Sequence, residues 1–129
     1  MTEFSSALSV SASGLWAQSQ RLRHVAENIA NADTPGYRRK TVAFRPERGA
    51  EATGRVEAGP VRLDRADPQR IYDPGHPLAD ASGHYAGSNV DLMIEMADAR
   101  EAQRSYEANL KIFEQTRQMS ARLMDLLRR

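Results

Sequence analysis

The side chains that most often carry chemistry are few in this chain of 129 residues. His24 lies three residues before Glu27 on a predicted helix, and a histidine and a carboxylate at that spacing could bind a metal together. An exposed histidine beside a glutamate on a helix surface explains the same pair more simply. We therefore expect no metal at this position.

A second histidine lies in a segment rich in turn-forming residues. His76 is close to two carboxylates, so it could act as a metal ligand or a general base. Two prolines and a glycine surround it, and this composition favours an ordered turn or extended segment. The residues that make up this mid-chain motif are Tyr72, Asp73, Pro74, Gly75, His76, Pro77 and Asp80.

Motifs for catalysis are missing from the sequence. It contains no HExxH, GxSxG or glycine-rich phosphate loop. The lack of cysteine excludes thiolate chemistry and disulfide bonds. We therefore expect no catalytic residue, no cofactor, no metal and no small-molecule substrate, so the chain is predicted not to be an enzyme. A hydrolase that uses His76 is the remaining enzymatic alternative.

The charge pattern gives little support to a nucleic-acid partner. The net charge is +1, and acidic and basic residues are interleaved rather than concentrated on one face. A basic run, Arg38 to Lys40, follows Tyr37 and could contact phosphate. Three charges at the junction between a helix and a strand are more typical of a solvated or subunit-facing edge. We expect no nucleic acid to bind.

The N-terminal part of the chain has a repeat of seven residues. Large aliphatic residues alternate with small ones at the two seam positions, which is typical of a helix that packs along its whole length. The large residues are Leu8, Leu15, Leu22 and Ile29, and the small ones include Ala12, Ser19 and Ala26. A helix over residues 3–32 would be roughly 45 Å long. Gly14 and many serines weaken its intrinsic stability, so it needs a packing partner.

A small irregular insert is predicted between residues 34 and 89. Pro35 and Gly36 end the first helix. A strand is predicted between residues 37 and 45, a mobile loop over residues 46–60, and two short strands near residues 61–63 and 71–72. Residues 81–88 are predicted to be a further turn-bounded piece.

A second long helix is predicted from residue 90 to residue 129. Asn89 is a good N-cap residue, and apolar residues recur every three or four positions afterwards. The predicted packing residues of this helix are Met96, Tyr106, Leu110, Phe113, Met124 and Leu127. The predicted fold is mainly α. The terminal helices, within residues 1–33 and 90–129, pack as an antiparallel pair resembling a coiled coil, and the small irregular or β insert lies between them.

Several of these segments resemble one known family. The run from Ala26 to Arg39 resembles the signature of bacterial flagellar rod and hook axial proteins, whose turn residues correspond to Asn28, Asn31, Thr34, Pro35, Gly36 and Tyr37. The mid-chain motif is similar to that of the proximal-rod members. Residues 87–91, Glu95, Met96 and residues 104–109 match the start of their C-terminal helix.

The resemblance implies a structural subunit that polymerises through its terminal helices into the hollow drive shaft of the flagellum. It also implies assembly in the periplasm after export by the flagellar type III apparatus. The N-terminus has no signal-peptide pattern, so we expect export without cleavage. The implied partners are other copies of the chain, other proximal and distal rod proteins, and an adaptor associated with the inner-membrane ring or export gate. The alternatives are another axial rod paralogue and a small helical adaptor that binds a partner helix.

Overall fold

The computed structural model describes residues 2–49 and 53–129, and within those ranges the chain forms two helices and six short strands. Helix α1 spans Thr2–Ala30 and helix α2 spans Leu92–Arg128. The strands lie between them. They are β1 (Lys40–Thr41), β2 (Phe44–Pro46), β3 (Val56–Ala58), β4 (Arg62–Leu63), β5 (Arg70–Tyr72) and β6 (His84–Ala86).

The helices pack side by side in opposite directions. A Cβ placed on Gly14 of α1 would lie 2.9 Å from Nδ2 of Asn109 on α2. Further along α1, Asn28 donates a hydrogen bond to Glu95. The residue numbers on α2 fall as the residue numbers on α1 rise, so the pair is antiparallel, as the sequence predicted.

Small residues bring α1 and α2 close together. Ala17 and Ala102 are 1% and 0% exposed, and Val25 is also buried. Residues at positions 14, 17, 21, 25 and 28 recur every three or four residues, so they form one stripe along α1. The stripe has no large aliphatic side chain except Val25. Because its members are small or polar, the helix backbones can approach closely without burying the leucines.

The insert consists of three antiparallel strand pairs. Strand β1 pairs with β4, β2 with β3, and β5 with β6, with registers that align Lys40 with Leu63, Phe44 with Ala58 and Ile71 with Tyr85. Each pair has two strands, which is marginal by itself in water. The insert therefore depends on contacts with the helices.

The predicted mobile loop over residues 46–60 is wrong where it includes β3. The backbone N–H of Val56 donates to the Ser13 hydroxyl at 3.1 Å, which fixes β3 against α1. Across the strand pair, Arg45 Nε lies 2.7 Å from Glu57 Oε1. Polar contacts hold this strand, so the apolar pattern gave no sign of it. Residues 50–52 of the predicted loop lie outside the described residues.

The predicted N-cap of the second helix is also wrong. Asp91 caps α2, because its carboxylate accepts a hydrogen bond from Met93 N at 3.0 Å. Asn89 instead accepts from the backbone N–H of Arg39 at 2.6 Å. The helix consequently starts at Leu92.

Hydropathy gives no candidate for a membrane span in either described range, since neither helix has a sufficiently long apolar stretch.

Candidate functional site

The end of α1 is joined to the start of α2 by a buried polar network. Asn28 is fully buried at its centre, and its side-chain amide uses all of its hydrogen-bonding capacity. Nδ2 donates to Lys40 O at 2.9 Å and to Glu95 Oε2 at 3.2 Å. Oδ1 accepts from the Tyr37 hydroxyl at 2.9 Å and from Lys40 N at 2.8 Å. One side chain thus connects both helices to the first residues of the insert.

A buried ion pair completes the connection. Glu95 is fully buried, and its Oε1 accepts from Arg39 Nε at 2.6 Å. The Arg39 guanidinium also lies 3.3 Å from Asp64 and 3.3 Å from Asp98. Burial tends to lower the pKa of Arg39, but the hydrogen bonds and charges of Glu95 and Asp64 outweigh it and raise that pKa. Arg39 therefore stays charged and satisfies the buried carboxylate.

Asp64 belongs to the same electrostatic arrangement. Its carboxylate accepts from Ala66 N at 2.8 Å, and this bond, together with Arg39, lowers the Asp64 pKa. Asn89 donates to the carbonyl oxygens of Asp64 and Ala66 at 3.0 and 3.1 Å. The loop after β4 is thereby fixed to the start of α2. We call Asn28, Tyr37, Arg39, Lys40, Asn89 and Glu95 the junction network.

A more exposed ion pair lies beside the junction network. Lys40 Nζ is 2.8 Å from Glu27 Oε2. The hydrogen bond from Lys40 lowers the Glu27 pKa, and the same bond raises the Lys40 pKa. Burial raises the pKa of Tyr37, so its phenol remains a donor to Asn28. Because Arg39 and Lys40 are paired with carboxylates, the basic run has little capacity left to bind phosphate.

The remaining signature residues form the turn that leaves α1. Asn31 Nδ2 donates to Glu27 O at 2.9 Å, and the Thr34 hydroxyl donates to Asn31 Oδ1 at 3.1 Å. Pro35 follows, and Gly36 has a φ of 75°, a conformation that favours glycine. Its N–H donates to Gly87 O at 3.1 Å, which ties the turn to the segment before α2.

The mid-chain motif forms the turn of the β5–β6 hairpin. Tyr72 ends β5, and its ring lies against Gly83, where a Cβ would be 2.8 Å from Tyr72 Cε2. The Asp73 N–H donates to Gly83 O at 2.9 Å, and Asp73 O accepts from His76 N at 3.0 Å. Pro74, Gly75 and Pro77 lie within this compact turn. Their role is to shape the hairpin.

Asp80 and His76 make structural contacts in that turn. The Asp80 carboxylate accepts from the Ser82 hydroxyl and from the N–H groups of His84 and Ser82, which lowers its pKa to about 2. His76 stacks on Tyr85 with the ring centroids 3.9 Å apart, and its Nδ1 accepts from Leu78 N at 3.1 Å. This geometry supports the turn interpretation of the motif.

His24 differs from its predicted environment. Its side chain is 14% exposed, so the prediction of an exposed helical histidine is wrong. Nδ1 lies 4.0 Å from Glu27 Oε2, which is too long for a hydrogen bond, and that oxygen accepts from Lys40 instead. The insert covers this face of α1. Over the described residues, no group of three or more potential metal ligands is present.

The predicted packing residues of α1 lie beside the stripe that contacts α2. Leu8, Leu15 and Leu22 are half-buried, and Ile29 is exposed. Leu15, Leu22 and Ile29 each follow a stripe position by one residue, which on a helix is a rotation of about 100°. Of the small residues, Ser19 is half-buried, whereas Ala12 and Ala26 are exposed.

The predicted packing residues of α2 divide into two sets. Tyr106 and Phe113 are half-buried. Exposed large side chains are Met96, Leu110, Met124 and Leu127, with Leu127 at 72%. We call the exposed and half-buried set Leu8, Leu15, Leu22, Ile29, Met96, Leu110, Met124 and Leu127 the outer ridge. The outer ridge therefore presents apolar surface that the contact between α1 and α2 does not bury.

Sequence reasoning did not find the roles of Arg39, Asn89 and Glu95. Glu95 lies in the otherwise apolar run from Leu92 to Ala97, but a charged side chain is normally exposed, so the sequence gave no sign that Glu95 is buried. The available signal was the spacing of asparagines around the turn, at Asn28 and Asn31. Asparagine donates and accepts at once, which suits it to a buried junction.

Comparison with known proteins is consistent with this organisation. Residues 8–38 match a family model described as flagella basal body rod protein, and residues 81–126 match one described as flagellar basal body rod FlgEFG protein C-terminal. The first match covers most of α1 with Asn28 and Tyr37, and the second covers most of α2 with Asn89 and Glu95.

Curated relatives align over nearly their whole length. The chain is 48% identical to the flagellar basal-body rod protein FlgC of Agrobacterium fabrum, with 99% of this chain and 98% of the relative covered. It is 37% identical to FlgC of Salmonella typhimurium, with 91% and 92% covered, and 33% identical to FlgC of Bacillus subtilis, with 98% and 99% covered. The chain belongs to the FlgC family of flagellar basal-body rod proteins. In this FlgC-family chain, the junction network supports helices whose larger apolar side chains lie outside their mutual contact.

Proposed function

We propose that the chain is a structural subunit of the proximal rod that polymerises through its terminal helices into the hollow drive shaft and transmits torque. The outer ridge is the observation that carries this proposal. The antiparallel pair closes with alanine, glycine and polar side chains, which leaves large apolar residues exposed on both helices. Such exposed apolar surface is typical of protein–protein contacts.

The proposal assigns different tasks to the parts of the chain. Residues 1–33 and 90–129 form the inner helical layer of the polymer, and residues 34–89 form an outward-facing insert. The outer ridge, with Ala12, Ser19, Ala26, Tyr106 and Phe113, packs the helical layer. The signature turn fixes the angle at which the insert leaves this layer, because the junction network connects it to both helices.

The finer expectations follow from this role. The chain acts without catalysis or cofactor, and it lies in the periplasmic section of the basal body. Its partners are other copies of the chain, other proximal and distal rod proteins, and an adaptor associated with the inner-membrane ring or export gate. Export proceeds through the flagellar type III apparatus without a cleaved signal peptide.

The test is complementation of a strain that lacks the gene. We expect the wild-type chain to restore swimming and to be present in isolated basal bodies. The variant Leu15→Asp should be exported but absent from basal bodies, because a carboxylate in the outer ridge prevents apolar packing. An exposed polar position, Gln115→Asp, is the matched control and should retain swimming. Swimming by Leu15→Asp would contradict the proposal.

A solution measurement separates the rod subunit from an adaptor. Sedimentation and circular dichroism of the purified chain should show a marginally stable monomer that gains helix content when other rod proteins are added. A sharply unfolding dimer that does not respond to rod proteins would instead support a small helical adaptor.

A further inference from the structure

The helical pair has unequal ends. Gly14 lies opposite Asn109, and following this antiparallel register to Thr2 leaves the last two turns of α2 beyond the start of α1. This segment, residues 122–128, extends about 10 Å past the end of α1. We call it the overhang.

The overhang has one exposed apolar face. Its large hydrophobic residues are all at least one-third exposed, and they are Leu123, Met124, Leu126 and Leu127. At about 100° per residue these four side chains fall within an arc of about 160°, and Arg122, Asp125 and Arg128 lie on the opposite side of the helix. Among the described residues, α1 does not extend far enough to cover them.

A second apolar patch lies at the opposite end of the helical pair. Met93 is 81% exposed, and Ile29 at the end of α1 is also exposed there. The residues of this helix-start patch are Ile29, Leu92, Met93, Ile94 and Met96. The patch includes the first turn of α2, where the junction network holds the backbone firmly through Glu95.

The charges at the two ends are complementary. Residues 122–129 contain three arginines and one aspartate. Beside the helix-start patch lie the exposed carboxylates of Asp33 and Asp91. Within the described ranges, neither carboxylate forms an ion pair, and neither does Arg122 or Arg128. Two basic residues also lie near this end: Arg38 donates to the carbonyl oxygens of Asp64 and Ala66, and Arg100 lines the same surface depression as Met93 and Met96.

Both surfaces fall in a segment that rod proteins share. The family model for the C-terminal part of rod proteins matches residues 81–126, which include the helix-start patch on α2 and most of the overhang. A second copy of this chain has the same helix start, and the other proteins that this family model describes have a segment that corresponds to it. The complementary partner of the overhang is therefore available on another chain of the same family.

We propose that the overhang docks onto the helix-start patch of the adjacent rod-family chain, with its arginines next to the carboxylates that flank that patch. This inference rests on the proposed function and specifies how consecutive subunits meet along the shaft. The two surfaces differ from one another, so the contact is head-to-tail and does not close on itself. Repetition of such a contact produces an open polymer.

The test is site-specific photo-crosslinking in isolated basal bodies. The variant Leu127→p-benzoylphenylalanine replaces the wild-type chain, and after irradiation the attached peptides are identified by mass spectrometry. We expect adducts with the first two turns of the C-terminal helix of a neighbouring rod-family chain. The control variant Gln118→p-benzoylphenylalanine, one turn before the overhang, should not form these adducts. If the probe at Leu127 prevents incorporation, the same probe at Leu126 is used and the same adducts are expected.

The outcomes distinguish this inference from the proposed function. Basal bodies that contain the variant but give adducts only with α1 before Ile29, only with the insert, or with no rod-family chain would overturn the docking proposal and leave the rod function intact. Absence of the wild-type chain from basal bodies would contradict the rod function itself.

Discussion

The junction network and the outer ridge use opposite kinds of side chain. The junction network buries Asn28 and Glu95 completely and bonds them to Arg39, Lys40 and Tyr37. The outer ridge consists of aliphatic residues that remain half-buried or exposed. Most soluble domains have the reverse arrangement, with aliphatic residues inside and charges outside.

This difference separates two tasks of the chain. Directional hydrogen bonds set the geometry of one chain, because a buried polar network is satisfied in one arrangement only. Apolar packing has little directional preference and adapts to a partner surface. Hence changes in the junction network should affect the isolated chain, and changes in the outer ridge should affect assembly.

The largest effect on the isolated chain is expected for Glu95→Ala. Removing one partner of a buried ion pair leaves the other charge without compensation, so the free energy of unfolding should fall by about 3 kcal/mol or more. Denaturant unfolding followed by circular dichroism measures this change. Glu101→Ala is the control, because the Glu101 side chain is exposed and its pair with Arg21 should contribute less than about 1 kcal/mol. Equal effects of the two substitutions would contradict the burial argument.

A slightly smaller effect is expected for Asn28→Ala. The substitution leaves the Tyr37 hydroxyl and the backbone groups of Lys40 without their partner, and unpaired buried groups cost about 1–3 kcal/mol. We expect the free energy of unfolding to fall by about 2 kcal/mol in total. Thr34→Ala in the same turn is exposed and should have much less effect. If Asn28→Ala lowered the free energy of unfolding by less than about 0.5 kcal/mol, which is typical of exposed substitutions, the Asn28 amide would not be needed for stability.

The close contact of the helices is tested by Gly14→Leu. Nothing larger than hydrogen fits without displacing Asn109, so overpacking should cost about 1–3 kcal/mol. Thermal unfolding of the purified chain gives the value. Gly14→Ala provides the comparison, since its gain in helix propensity of about 1 kcal/mol offsets a small shift of the Asn109 side chain. If Gly14→Leu left the free energy of unfolding unchanged, the helices could not be as closely packed as described.

The smallest effect is local and concerns Asp80 in the β5–β6 hairpin. Its pKa is lowered from 3.8 to about 2, so its stabilising contribution is present above pH 4 and is lost as the pH falls towards 2. Protection of the Ser82 and His84 amides against hydrogen exchange, corrected for intrinsic rates, should decrease over this range. In Asp80→Asn the protection should be lower at pH 6 and should not change with pH. Constant protection in the wild-type chain would argue against the hydrogen bonds described.

The sequence predicted the fold class because its strongest signals are local. The period of the terminal segments and the Pro35–Gly36 break are sufficient for two long helices with an insert. Strand β3 was missed because the Ser13 hydroxyl fixes it, and hydroxyl contacts between distant segments leave no periodic pattern. The N-cap was predicted at Asn89 rather than Asp91 because asparagine and aspartate both cap helices. In the structure Asn89 accepts a hydrogen bond from Arg39 N, and Asp91 caps α2.

The junction network was largely beyond sequence reasoning. Glu95 and Arg39 are separated by 56 residues, and their pairing depends on the path of the whole insert. The stripe of α1 that contacts α2 could not be recognised from the sequence for another reason. Its residues are small or polar, so the leucines one position away dominated the apolar pattern. The apolar pattern nevertheless identified the leucines that belong to the proposed assembly surface.

The most direct test of the account is a paired measurement on Leu127→Asp, because Leu127 is an outer-ridge residue that is 72% exposed. The free energy of unfolding of the purified variant is compared with wild type, and its incorporation into basal bodies is measured by complementation. We predict that unfolding changes by less than about 1 kcal/mol, as for a surface substitution, and that incorporation is lost. Retained incorporation, or a loss of stability as large as that of Glu95→Ala, would contradict the division between junction network and outer ridge.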